Sequence, residues 1–166
     1  MARIDVRPAT SQEAEVVAAI LTEAAAWLER AGMPLWQEEE VTPGRVAADV
    51  AAGLFFVAWR LGEPVGTVRF QLEDRVVWPD AFGREEAVYM HRLAVRRAYA
   101  GTGVSTALMR WAADRGRCLD RAFLRLDCPA ARPRLRAVYE SFGFLHHSDR
   151  QVGPYWLARY ELSLTK

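Results

Sequence analysis

The segment Tyr99–Met109 reads YAGTGVSTALM. It follows the apolar run AVYMHRLAV at 87–95 and leads into a helical pattern, so the chain turns from strand to helix through two glycines and three hydroxyl residues. Such a turn leaves several backbone N–H groups without intrahelical acceptors beside the positive end of a helix dipole, which is an anion site. The glycines let an anion approach the backbone, and Thr102, Ser105 and Thr106 add hydroxyl donors. A Walker phosphate loop requires a closing Gly-Lys-Ser/Thr, and this segment has no lysine. A dinucleotide fingerprint requires a third glycine three residues after the second, where Thr106 stands instead. A tight turn that touches no ligand is the competing reading of the same residues.

The surrounding elements follow from hydrophobic period. RIDVRPAT reads as a first strand ending at Pro8. Val17, Ile20, Leu21, Ala24 and Leu28 recur at helical spacing over 11–31, and a second short helix runs over about 43–52. LFFVAWR reads as a strand buried on both faces, LGEPVG as a turn, and TVRFQLED as a strand whose Val68, Phe70 and Leu72 face the core while Thr67, Arg69 and Gln71 face outward. Residues 74–86 form a loop. The strand at 87–95, a helix over 103–117, the strand AFLRLDC, a helix PRLRAVYESF presenting Leu135, Val138, Tyr139 and Phe142 inward, and the strands FLHHSD and YWLARYELSL complete the chain. The order β, α, α, β, β, β, α, β, α, β, β predicts an α/β architecture, a mixed sheet with helices on its faces.

The whole chain sets bounds on this reading. Its 166 residues fit one domain, 1–166, with enough apolar content, 51%, for a core. A net charge of +1 argues against nucleic acid as a partner. No apolar run approaches the roughly 18 residues of a membrane span, and MARIDVRPAT lacks the apolar centre of a signal peptide, so the expected location is the cytoplasm, away from membrane. Cys118 and Cys128 read as free thiols, and with three histidines and no suitable cysteine set a metal site is not expected.

LAVRRAYAGTGVSTALM resembles the acyl-CoA-binding segment of the GNAT superfamily of N-acetyltransferases, in which a strand ending L-x-V leads through Q/R-x-x-G-x-G/A into a helix. Gly103 matches; Ala100 stands at the Gln/Arg position and Ser105 at the final Gly/Ala. Ala100 removes a side-chain contact to the pyrophosphate, for which Arg96 and Arg97 are possible replacements, while the backbone amides remain. AFLRLDCPAARPRLRAVYESFGF is similar to the family's next strand and helix, with Tyr139 and Gly143-Phe144 at the usual spacing and Arg132 where Asn is common. The element order is also that of the family. The resemblance implies a mostly antiparallel sheet of about seven strands flanked by about four helices, and acetyl-CoA as cosubstrate for transfer to an amine acceptor.

It also implies site residues. Leu93, Ala94 and Val95 would meet the pantetheine; Ala100, Gly101, Thr102, Gly103, Val104, Ser105 and Thr106 would hold the pyrophosphate; Arg132 is a candidate for the 3′-phosphate. Tyr139 falls at the position of the general acid. His91, where many members carry Glu, is the candidate base, since an imidazole near its ordinary pKa of ~6.5 accepts protons at neutrality; Glu73, Glu85 and Glu86 are rivals. Trp36, beside Glu38, Glu39 and Glu40, and Trp78 are candidate walls for a cationic acceptor. Pairing into a homodimer is a family habit. A non-catalytic acyl-CoA-binding module and an interaction protein without ligand are the alternatives.

Overall fold

The structure is a computed structural model, and it describes residues 2–165. Its elements are β1 (Asp5–Pro8), α1 (Ala14–Arg30), α2 (Pro43–Ala51), β2 (Phe55–Arg60), β3 (Glu63–Gln71), β4 (Ala87–Val95), α3 (Val104–Cys118), β5 (Phe123–Pro129), α4 (Pro133–Phe142), β6 (Leu145–Val152) and β7 (Tyr155–Ser163). The strands form one sheet in the order β1-β2-β3-β4-β5-β7-β6. The β1–β2, β2–β3, β5–β7 and β6–β7 pairs are antiparallel, and β4–β5 is parallel. The expected mixed, mostly antiparallel sheet with four helices is therefore present.

The chain divides into two compact units. The first comprises the residues up to Phe70 together with Arg92–Trp111. Its core joins Val17, Ile20 and Leu21 of α1 to Val46 and Val50 of α2 and to Phe55 and Val57 of β2. Phe56, Phe70 and Trp111 make a second, aromatic contact, with ring centroids 4.3–6.1 Å apart. Gly66 of β3 sets how closely α3 starts against the strand. A Cβ there would lie 2.9 Å from the Ala94 carbonyl oxygen and 2.9 Å from a Val104 methyl, so only glycine fits.

The second unit comprises Gln71–His91 and the chain from Ala112 onward. Val77, Trp78, Ala81, Ala87, Tyr89 and Leu157 form a core there. Two buried arginines are fully engaged around it. Arg125 donates to Glu161 at 2.7 Å and to Glu86 at 3.0 Å, and Arg159 donates to Asp80 at 2.8 Å and to the Val77 carbonyl at 3.1 Å. Buried guanidinium groups require such pairing.

Four sequence expectations are corrected. The β2–β3 turn is only Leu61-Gly62, both at positive φ (50° and 80°), and β3 begins at Glu63 rather than at Thr67. Thr67 is buried, because its hydroxyl donates to the Phe56 carbonyl at 2.8 Å instead of facing solvent. Leu72 lies beyond the end of β3 and is exposed. Val138 is also exposed, at 43%, so the buried face of α4 is narrower than the spacing predicts.

Candidate active site

In the first unit, β4 ends at Val95 and the chain reaches α3 through a short 3-10 turn at Arg97–Tyr99. The entry to this loop is tied down. The Arg96 N–H donates to the Val65 carbonyl at 2.9 Å, and those of Tyr99, Ala100 and Thr102 donate to Arg96, Arg97 and Tyr99. The exit is bare: among the described residues, the N–H groups of Gly101, Gly103, Val104, Ser105 and Thr106 have no protein acceptor. Gly101 (φ +73°) and Gly103 (φ +89°) adopt the left-handed conformation, and nothing lies within 4 Å of where their Cβ atoms would be. The glycines are thus required by backbone conformation, and they face open space rather than a packed neighbour. Five amides without acceptors at the start of a fifteen-residue helix are suited to cradle an anion.

The side chains of the loop divide. Ser105 and Thr106 keep their hydroxyl protons available, whereas Thr102 donates its own to the Tyr99 carbonyl at 2.6 Å and shapes the loop instead of meeting an anion. Ala100 brings no charge. The Arg96 Nε donates to the Pro64 carbonyl at 2.9 Å, which ties that side chain to β3. The Arg97 guanidinium carbon lies over Trp27, 3.8 Å from the ring centre. Ala94 is buried, and Leu93–Val95 lie past the last of the three β4–β5 pairs, Ala87↔Phe123, Val88↔Leu124 and Tyr89↔Arg125. Trp36 is half-buried on the core of this unit, with Arg92 5.5 Å from its ring and Arg92 also 3.6 Å from Glu40. The cation that Trp36 and Glu40 attract is thus one the chain itself supplies.

In the second unit, His91 follows the last β4–β5 pair by two residues, as does Asp127 on β5. The His91 Nδ1 lies 3.1 Å from Asp127 Oδ1, and its Nε2 lies 2.9 Å from Asp74 Oδ2. These are charge contacts rather than aligned hydrogen bonds, since neither oxygen receives a hydrogen bond of good geometry. Asp74 is itself oriented, because its other oxygen accepts the N–H groups of Val76 and Val77 at 3.1 and 2.9 Å. Burial opposes charge on the imidazole but is outweighed by Asp127 and Asp74, which raise its pKa to about 9. The same contacts, with the two N–H groups, overcome burial at Asp74 and hold its carboxyl below the usual range.

With its pKa raised to about 9, the charged form of His91 is favoured at neutral pH. Both ring nitrogens lie beside carboxylates, which favours the charged form over the neutral base expected from the sequence. One ligand atom from each of Asp74, His91 and Asp127 lies within 4.8 Å of the others, and a metal ion there would have to displace a ring proton. Of the rival bases, Glu86 is bound to Arg125, while Glu73 and Glu85 are exposed.

Tyr139 lies on the buried face of α4, packed edge-on to Phe144 and tilted to Tyr160 at centroid distances of 6.0 and 6.3 Å. Among the described residues its hydroxyl has no hydrogen-bond partner. Burial pushes its pKa well above the ordinary phenol value, with Cys128 and Asp127 adding to the effect. α4 is held in place by its own polar residues, with Arg136 donating to the Tyr160 hydroxyl at 2.8 Å and that hydroxyl donating to Glu140 at 2.6 Å. Arg132 is the residue before α4. Trp78 is corrected as a pocket wall: it is 1% exposed, with Arg125 and Arg159 stacked on it at 4.8 and 4.5 Å.

A sequence model of the Acetyltransferase (GNAT) family matches residues 21–144, a span that holds the bare amides, His91, Asp127 and Tyr139. The chain belongs to that family. This GNAT protein is 30% identical over 146 residues, 82% of its length and 79% of the relative's, to the uncharacterized N-acetyltransferase YesJ of Bacillus subtilis (strain 168). Its fold is that of a GNAT acetyltransferase from Listeria monocytogenes, with a TM-score of 0.77 at 22% identity, covering 96% of this chain and 95% of the other. Salmonella typhimurium yncA, solved with its cofactor acetyl-CoA, superposes with a TM-score of 0.74 at 17% identity, covering 99% and 95%. Among the described residues no helix is long and apolar enough to cross a membrane.

Proposed function

We propose that the protein is an N-acetyltransferase that moves an acetyl group from acetyl-CoA to a primary amine of a small molecule or peptide by direct attack on the thioester. The observation that carries this reading is the set of bare amides at Gly101 and Gly103–Thr106, in a chain of the GNAT family. They fit a pyrophosphate in both charge and access, and five N–H donors survive the loss of side-chain charge at Ala100. Ser105 and Thr106 add hydroxyl donors, the backbone of Leu93–Val95 is assigned to the pantetheine, and Arg132 to the 3′-phosphate. Tyr139 is assigned as the donor to the leaving thiolate.

The acceptor must arrive as a neutral amine. A lysine-like amine of pKa ~10.4 is neutral in only about one molecule in a few thousand at pH 7, a cost of roughly 4–5 kcal/mol. With His91 protonated, we assign that proton to solvent rather than to an imidazole. Asp74, His91 and Asp127 together carry one negative charge, which favours a cationic acceptor over an anionic one. Half-buried Trp36 stays in this reading as an apolar wall, and the two free thiols suit a reducing cytoplasm.

The test is release of CoA thiol from acetyl-CoA across a panel of polyamines, amino acids, aminoglycosides and peptide N-termini. Amine-dependent release is expected. Acetyl-CoA binding without turnover on any amine would overturn the enzymatic reading in favour of a binding module.

A further inference from the structure

The amide cradle is useful only if its entry limb is fixed, and two residues outside the loop bear on that limb. The Arg97 N–H donates to the carboxylate of Glu23, Oε2, at 3.1 Å across 74 positions of sequence. The Arg97 guanidinium lies over Trp27 at 3.8 Å. Glu23 and Trp27 are four residues apart on α1, hence neighbours on one face. On the other side, Arg96 is bound to β3 through its N–H and its Nε. The remaining loop bonds run back to Arg96, Arg97 and Tyr99, so the turn hangs from the peptide that α1 and β3 hold.

We infer that Glu23 is a positioning residue for the anion cradle, holding the Arg97 peptide so that Gly101 and Gly103–Thr106 converge. The inference rests on the reading of that loop as the acetyl-CoA site. A carboxylate is a costly choice there, since it repels the phosphates that the amides attract. Its use is explained by the strength of a charge-assisted bond to an N–H. Two opposite effects of substitution follow, one from the lost acceptor and one from the lost charge.

The experiment is calorimetric titration of acetyl-CoA into the full chain and three variants, with melting temperature as a control for folding. Glu23→Ala should weaken binding about tenfold, the effect of one lost hydrogen bond to a charged group, with kcat at saturating acetyl-CoA unchanged. Glu23→Gln keeps an acceptor, makes a weaker uncharged bond and removes the repulsion of the phosphates, so it should bind more tightly than Glu23→Ala. Glu23→Asp keeps the charge but shortens the reach, and should bind several-fold more weakly. It carries the test if Glu23→Ala does not fold. Wild-type affinity in both Ala and Asp variants would overturn the inference, as would a Gln variant as weak as Ala. Absence of binding by the wild type would overturn the acetyl-CoA site itself, a result distinguishable from either.

Discussion

Replacing Tyr139 by Phe is expected to lower kcat about 10²-fold and to leave the Kd for acetyl-CoA within about twofold. The two effects separate because ring and hydroxyl do different things. The ring packs on Phe144 and Tyr160, contacts that Phe keeps. The hydroxyl has no partner among the described residues, so its removal leaves no buried group unpaired. Its raised pKa keeps it protonated across the working range. A thiol like that of cysteine has a pKa of ~8.5, below that of the phenol, so complete proton transfer to the thiolate is uphill. The contribution is then a hydrogen bond that strengthens as charge develops on sulfur. Steady-state CoA release measured beside calorimetry decides: an unchanged kcat would remove Tyr139 from the chemistry, and lost affinity would make it a packing residue.

The second large effect concerns pH. The His91 imidazole is expected to titrate near pH 9, and the protein to lose stability as pH rises toward that value. The folded pKa lies above the unfolded value of ~6.5, so the contribution is fully present below about pH 6.5, declines between 6.5 and 9, and is absent above. Its size is about 3 kcal/mol. Asp74 acts in the opposite direction, its contribution being lost as pH falls through its lowered pKa. Imidazole NMR titration with urea unfolding at pH 6, 7.5 and 9.5 measures both. Asp127→Asn should move the midpoint down and flatten the alkaline loss. A wild-type midpoint near 6.5 would contradict the charge assignment and restore His91 as a neutral-pH base.

Local patterns carried most of the fold. The helical spacing in α1 and the alternation around Val68 and Phe70 needed only near neighbours, and the glycine turn announced the cradle because Gly101 and Gly103 serve backbone conformation. What local pattern could not supply was long-range pairing. His91 owes its proton to Asp74 and Asp127, which lie 17 and 36 positions away and come from a loop and a parallel strand. Trp78 reads as a loop aromatic until Arg125 and Arg159 close over it. The Leu61-Gly62 turn was hidden for another reason, since leucine gives no signal of positive φ. Glu23 offered no sequence signal at all, being one acid among several on an amphipathic helix.

Binding of acetyl-CoA on the amides of Gly101 and Gly103–Thr106 is open to calorimetry of the wild type beside Gly103→Glu. Gly103 has open space at its Cβ position, so the substitution strains a left-handed residue and places bulk and negative charge in the cradle without disturbing a packed core. Saturable binding by the wild type is expected, with at least a 10²-fold loss in a variant that still melts cooperatively. Equal affinity in the two proteins would contradict binding on these amides.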